Sequence, residues 1–182
     1  MIRMGWMGAT LAVTLGMFAL IGLPPLPSQA ACPVAGVVMN AGEAFIDAAG
    51  RSNEAAFTLA LSRHTDVNAV AFFALGQYRK SLPPARQSEY LKNARRYMAR
   101  VLLDNSRSFR SSRDLTVEKC NGNLVETSLG GRSRMLWRLS GGRIRDVRVS
   151  GVWLGIQLRS KFTGIIRRNN GDVNALLEYL RR

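Results

Sequence analysis

The sequence predicts an α+β fold: N-terminal helices, then a roughly four-stranded antiparallel sheet, then a closing C-terminal helix pair. Three observations carry that reading. From Pro33 to about Asn105, apolar residues recur at helical spacing. From Leu115 to Val149 the period falls to two, as in strands with one covered face. Beyond Gly151 the helical period returns and holds to the C-terminus. A chain of 182 residues is long enough for one domain with a real core, and it contains no internal repeat or low-complexity segment.

The first thirty residues read as a signal peptide. Arg3 supplies a positive start, Met4 to Leu23 is apolar and uncharged, and Pro24, Pro25 and Pro27 break the run. Ser28-Gln29-Ala30 then offers small residues for cleavage after Ala30. That leaves 31–182 as a single domain. A retained membrane anchor and a lipoprotein attached at Cys32 are the competing readings.

In the first helical stretch Val34, Val37, Val38, Ala41 and Phe45 share a face, and Gly50 is expected to end it. Ser52 or Asn53 starts a second helix carrying Phe57 and Leu61, and Asp66 is a good N-cap for a third, VNAVAFFAL. Pro83 and Pro84 suit the first turn of the next helix. It runs from Ala85 to about Asn105, with Tyr90, Leu91, Ala94, Tyr97, Met98, Val101 and Leu102 in one stripe. Arg107 to Asp114 is polar and serine-rich and reads as a loop. The strands LTVEKC, LVETS, SRMLWRLS and RIRDVRVS are separated by Asn121-Gly122-Asn123, Gly130-Gly131 and Gly141-Gly142, which is turn chemistry for consecutive hairpins. After Gly151, Leu154, Leu158, Phe162, Ile165 and Ile166 form one apolar stripe, with Arg159, Lys161, Arg167 and Arg168 mainly off it. Asn169, Asn170 and Gly171 end that helix. Asp172 caps a last one, whose face is Val173, Leu176, Leu177 and Leu180.

The formal charge is +14, and removing residues 1–30 leaves +13, because that segment carries one arginine and no acid. An exported protein this basic is drawn to anionic surfaces. Cys32 and Cys120 are the only cysteines. In an oxidising compartment they can bridge, or they can remain two separate buried thiols. Their number excludes a cysteine zinc site.

Little in the chain suggests catalysis. His64 is the only histidine, no glycine-rich loop has phosphate-binding spacing, and no G-x-S-x-G elbow occurs. Glu118 and Glu126 lie on neighbouring strands and could face each other as an acid–base pair, although strand acids beside many arginines are more often ion pairs. Basic residues interleave with Tyr78, Tyr90, Tyr97 and Phe109, a pattern also met in nucleic-acid binders. The export signal argues against specific nucleic-acid binding.

The segment DVRVSGVWLGIQLRSKF resembles the signature of the MlaC-type, or toluene-tolerance, family, approximately D-V-x-(apolar)-E-G-V-S-L-x-x-x-Y-R-x-x-F. Asp146, Val147, Gly151, Val152, Leu154, Arg159 and Phe162 match; Ser150, Trp153 and Leu158 depart from it. Upstream, Leu75, Gly76 and Tyr78 resemble the family's Leu-Gly-aromatic stretch, and the likeness reaches back to about Asp66. The resemblance implies an apolar cleft between sheet and helices that holds acyl chains. With the helix faces it nominates Val70, Phe73, Tyr97, Trp137, Val149, Trp153, Leu158 and Phe162 as lipid-binding. Arg159 is expected to be structural, pairing with an acid such as Asp146, or else to lie at the cleft mouth. The implied protein is a monomeric periplasmic phospholipid carrier without catalytic residues, metal or cofactor, the lipid being cargo. It would shuttle between an outer-membrane lipoprotein complex and an inner-membrane ABC transporter complex. A hopanoid or other isoprenoid carrier, a small-molecule enzyme on a similar cone-shaped fold, and a basic envelope protein that binds anionic polymers are the alternatives.

Overall fold

The computed structural model describes residues 32–110 and 113–182. Residues 1–30, expected from the sequence to be a signal peptide, lie outside the described residues.

Four helices come first: α1 (Ala35–Arg51), α2 (Glu54–His64), α3 (Val67–Leu75) and α4 (Gln87–Asp104). Asn53 caps α2 by accepting from the Ala56 N–H at 2.8 Å, and Asp66 caps α3 by accepting from the Ala69 N–H at 3.0 Å. Two tight turns, Gly76–Ser81 and Pro84–Arg86, join α3 to α4. A single helical turn, α5 (Arg107–Arg110), then leads into the sheet.

The sheet is a meander of β1 (Leu115–Asn121), β2 (Leu124–Leu129), β3 (Ser133–Ser140), β4 (Arg143–Val149) and β5 (Val152–Trp153), all antiparallel and in chain order. Helices α6 (Leu154–Arg168) and α7 (Val173–Arg181) close the chain, and the Asp172 carboxylate accepts from the Asn174 N–H at the start of α7.

Four details correct the sequence-based expectation. A short fifth strand exists, because Ser150 and Gly151 both take left-handed backbone and turn the chain back on β4. Helix α1 does not stop at Gly50; it runs to Arg51 and ends where Ser52 goes left-handed. Pro84 forms a separate tight turn, so α4 begins at Gln87 rather than Ala85. The polar stretch after α4 is not loop throughout but contains α5.

The apolar faces do not merge into one core. Tyr90, Phe162, Leu75, Leu176 and Leu177 centre a cluster among α3, α4, α6 and α7. Val38, Ile46, Val125, Met135, Trp137 and Ile144 centre a second, between α1 and the sheet. A third joins α1, α2 and α4 through Phe57, Leu61 and Ala99. The helical layer is tied to β4 by the Asp66 N–H, which donates to the Ile144 carbonyl at 2.9 Å, and by Arg143 donating to the Thr65 carbonyl at 3.0 Å.

Cys32 and Cys120 form a disulfide between residues 88 apart in sequence, fixing the start of α1 to β1. Closing so long a loop removes chain entropy from the unfolded state. Reduction, or the Cys32→Ser/Cys120→Ser pair, should lower stability by about 2–4 kcal/mol in urea titration. A titration unaffected by reductant would show that this link does not constrain the unfolded chain.

Candidate functional site

Between the three clusters lies a cavity of about 600 Å³, within the roughly 300–1,000 Å³ range of ligand sites. Its wall draws on nearly every element. Helix α1 gives Gly42, Phe45 and Ile46; α2 gives Phe57 and Leu61; α3 gives Val70; α4 gives Tyr97, Met98, Val101 and Leu102. The sheet gives Leu115, Leu129, Met135, Trp137, Ile144, Val147 and Val149, and α6 gives Leu154 and Leu158. Strand alternation, together with the β4 bulge at Arg145 that brings Ile144 to the same side as Val147 and Val149, puts these sheet residues on one face, and one face of α6 meets them.

The few polar groups in the wall are mostly satisfied within the protein. The buried Trp137 indole N–H donates to Thr127 Oγ1 at 2.8 Å. Burial pushes the Tyr97 phenol up to about 12, helped by its hydrogen bond with Tyr179. At the rim, Arg145 pairs with Asp66 at 3.1 Å, while Gln157, Ser160 and Lys161 of α6 are exposed beside the opening. Lys161 Nζ lies 5.3 Å over the Tyr179 ring, which leaves its ammonium open to water. The cavity is thus apolar within and polar, partly cationic, at its edge.

Asp146 sets the start of α6. Its Oδ1 accepts from the Gly155 N–H at 2.9 Å, one of the otherwise unpaired donors of the helix's first turn. A Cβ at position 155 would meet Asp146 Oδ2 at 2.9 Å, so only glycine lets helix and carboxylate approach this closely.

Of the eight residues nominated from sequence, the structure places Val70, Tyr97, Trp137, Val149 and Leu158 on the cavity wall. Three fall elsewhere. Phe162 is fully buried against Tyr90 and Tyr97 in the helical cluster, because α6 turns it away from the sheet. Phe73 is 42% exposed and lies under the Arg159 guanidinium at 5.2 Å. Trp153 sits between Arg138 and Arg148, at 4.1 and 5.6 Å. The expected Arg159–Asp146 pair does not form: Arg159 stacks on Phe73, and the Asp146 carboxylate is engaged with backbone N–H groups. Arg159 lies instead beside a small polar depression shared with Gln77, Tyr78, Thr163 and Arg167, away from the cavity mouth.

Sequence reasoning missed Gln157 and Lys161. Lys161 reads as lying off the apolar stripe, yet Leu154, Gln157, Leu158 and Lys161 make an i, i+3, i+4, i+7 face. It also missed Leu115, Leu129, Met135 and Ile144, whose signal was the same alternation that located Trp137. Glu118 and Glu126 do not form an acid–base pair. Ser128 donates to Glu118, Arg134 lies 3.8 Å from Glu126, and neither acid lines the cavity. His64 is held below its usual pKa by partial burial and by Arg63 and Arg143, and it also lies off the cavity. Among the described residues no cluster of His, Cys, Asp and Glu could hold a metal ion.

Asp146→Ala should cost about 1–2 kcal/mol in chemical denaturation by leaving the first turn of α6 uncapped, whereas Asp146→Asn, which keeps an acceptor, should recover most of the loss. Equal losses in both variants would contradict the cap. Tyr97 and Tyr90 both ionise late, Tyr90 because it is buried while its hydroxyl donates to the Ala71 carbonyl at 2.6 Å. Their raised folded-state values give stability that is complete below the unfolded value of 10.0 and lost as pH climbs towards and past about 12. Alkaline titration should show part of the phenolate absorbance appearing only as the fold melts, and Tyr97→Phe should reduce the steepness of that melt.

The family model described as MlaC protein matches residues 37–182. No curated protein matches the sequence. Among solved structures, the phospholipid-binding protein from Ralstonia solanacearum, in complex with a phospholipid, superposes with a TM-score of 0.62 at 16% identity. The match covers 80% of this chain and 93% of that one, and at such identity it establishes the fold. Since the family model spans the whole described domain apart from its first few residues, this chain belongs to the MlaC family.

Proposed function

We propose that this protein is a periplasmic lipid carrier that encloses the acyl chains of a phospholipid in the cavity and leaves the headgroup at the rim. The observation that carries this reading is a cavity of about 600 Å³, walled by aliphatic and aromatic side chains from sheet and helices and edged by Gln157, Ser160 and Lys161. Membership of the MlaC family supports it, and so does the like-folded Ralstonia protein that binds a phospholipid.

The physics of such a carrier is direct. Each buried methylene contributes about 0.8 kcal/mol, so two long chains give a gross term on the order of 20 kcal/mol against free transfer through water. An enclosed lipid avoids that barrier. Val70, Tyr97, Trp137, Val149 and Leu158 would contact the chains, and Lys161 would meet the phosphate as a charged donor. The protein would exchange cargo with an outer-membrane lipoprotein complex and an inner-membrane ABC transporter complex, and would do no covalent chemistry. The off-cavity positions of Glu118, Glu126 and His64 accord with that.

The test is mass spectrometry of an organic extract from protein purified from the periplasm without detergent. A near-stoichiometric diacyl phospholipid is expected; a polycyclic isoprenoid would reassign the cargo, and an empty protein unable to take lipid from vesicles would overturn the carrier reading. Leu158→Glu places a carboxylate in the wall at a half-exposed position, so the fold should persist. The extracted lipid should fall at least tenfold, because burying that charge against acyl chains is costly.

A further inference from the structure

Of the six exposed large apolar side chains among the described residues, three lie within five consecutive positions: Val152 at 43%, Leu154 at 37% and Ile156 at 52% exposure. This concentration marks one corner of the molecule, where the β4–β5 turn leads into α6. The turn itself is tight, with Ser150 and Gly151 both at positive φ. Between the aliphatics stands Trp153, half-buried, with the guanidinium of Arg138 on its ring at 4.1 Å and that of Arg148 at 5.6 Å. Neither arginine is in an ion pair among the described residues. Both cations therefore keep their charge for an external anion while their stems cover the indole. The corner adjoins the cavity opening: Leu154 belongs to both, and Gln157 and Lys161 continue along the same helix.

Exposed aliphatics, a tryptophan and uncompensated arginines together are the composition that settles at a membrane–water interface. In a chain with a formal charge of +14, long-range attraction to a negative lipid surface acts in the same direction. We infer that the β5–α6 corner is a docking surface for an anionic bilayer, which brings the cavity mouth against the lipid headgroups so that cargo passes without crossing water. The inference rests on the carrier reading and adds to it the face that meets the membrane. The contact is peripheral: among the described residues no helix is long and apolar enough to cross a bilayer.

The experiment uses vesicles of phosphatidylcholine alone or with one third phosphatidylglycerol, and the protein as purified, at low and high salt. Flotation with the mixed vesicles is expected, weakened by salt and absent with pure phosphatidylcholine. Brominated acyl chains in those vesicles should quench Trp153 as the protein docks, and this first phase should be lost in Trp153→Phe; Trp137, which lines the cavity, should be quenched only in a later phase as brominated cargo enters. Arg138→Gln and Arg148→Gln should each weaken binding roughly fivefold. Val152→Ser/Ile156→Ser should reduce it further and slow lipid delivery. None of these five residues lines the cavity, so lipid extracted from the variants should match wild type. Lipid-loaded protein that ignores anionic vesicles, or binds them equally well without these side chains, would overturn the docking surface and leave the carrier reading standing. Failure to extract lipid from the wild type would strike the carrier reading itself. Vesicle binding that appears only when a purified acidic partner protein is present would also overturn the inference, assigning the corner to that partner.

Discussion

The Asp146–Gly155 clasp fixes the geometry on which the site depends. Strand β4 ends the main run of the sheet, and the chain must turn, add two residues of β5 and enter α6 within a few positions. The carboxylate reaching from β4 to the first turn of α6 sets the rotation and the height at which that helix starts. Rotation decides which side chains meet the sheet. With α6 held here, Leu154, Gln157, Leu158 and Lys161 face the cavity, while Phe162, Ile165 and Ile166 enter the helical cluster. Turning the helix by one residue, about 100°, would send a different set to each side.

The second organising fact is that the domain holds three apolar clusters instead of one. A single core would fill the space between sheet and helices, since interiors pack closely when nothing prevents it. Here two of the three clusters are anchored by rigid groups that resist relaxing into the gap. Tyr90 is held by its hydrogen bond to Ala71, Trp137 by its bond to Thr127, and the start of α1 by the disulfide to β1. The space is kept open by fixing its walls, and the apolar surface left facing it suits an apolar ligand.

The charge distribution accords with that division. Arginines are abundant, but those stacked on rings, Arg79 on Phe72, Arg138 and Arg148 on Trp153, and Arg159 on Phe73, cover aromatic surface outside the cavity. Lys161 and Arg145 are the cations at the cavity rim, and Arg145 is paired with Asp66. Basic character thus lies mainly on the outside of the protein, the buried Arg95 Nε, which lacks a hydrogen-bond partner, being the exception among the described residues.

Apart from α5 and β5, the sequence alone determined the order of elements, their types and the caps at Asn53, Asp66 and Asp172, because these depend on local periods and on single capping residues. It also made Asp146 stand out through the family signature, without revealing that it touches Gly155. It could not divide the apolar residues between core and cavity. Leu158 and Phe162 are four residues apart on one stripe and identical in pattern, yet one lines the cavity and the other is sealed among tyrosines. Phe73 and Trp153 likewise read as interior aromatics until arginines from other elements were found stacked on them. Periodicity reports which face of an element is covered, and not by what. That second fact depends on how distant elements cross, and only the tertiary structure decided it.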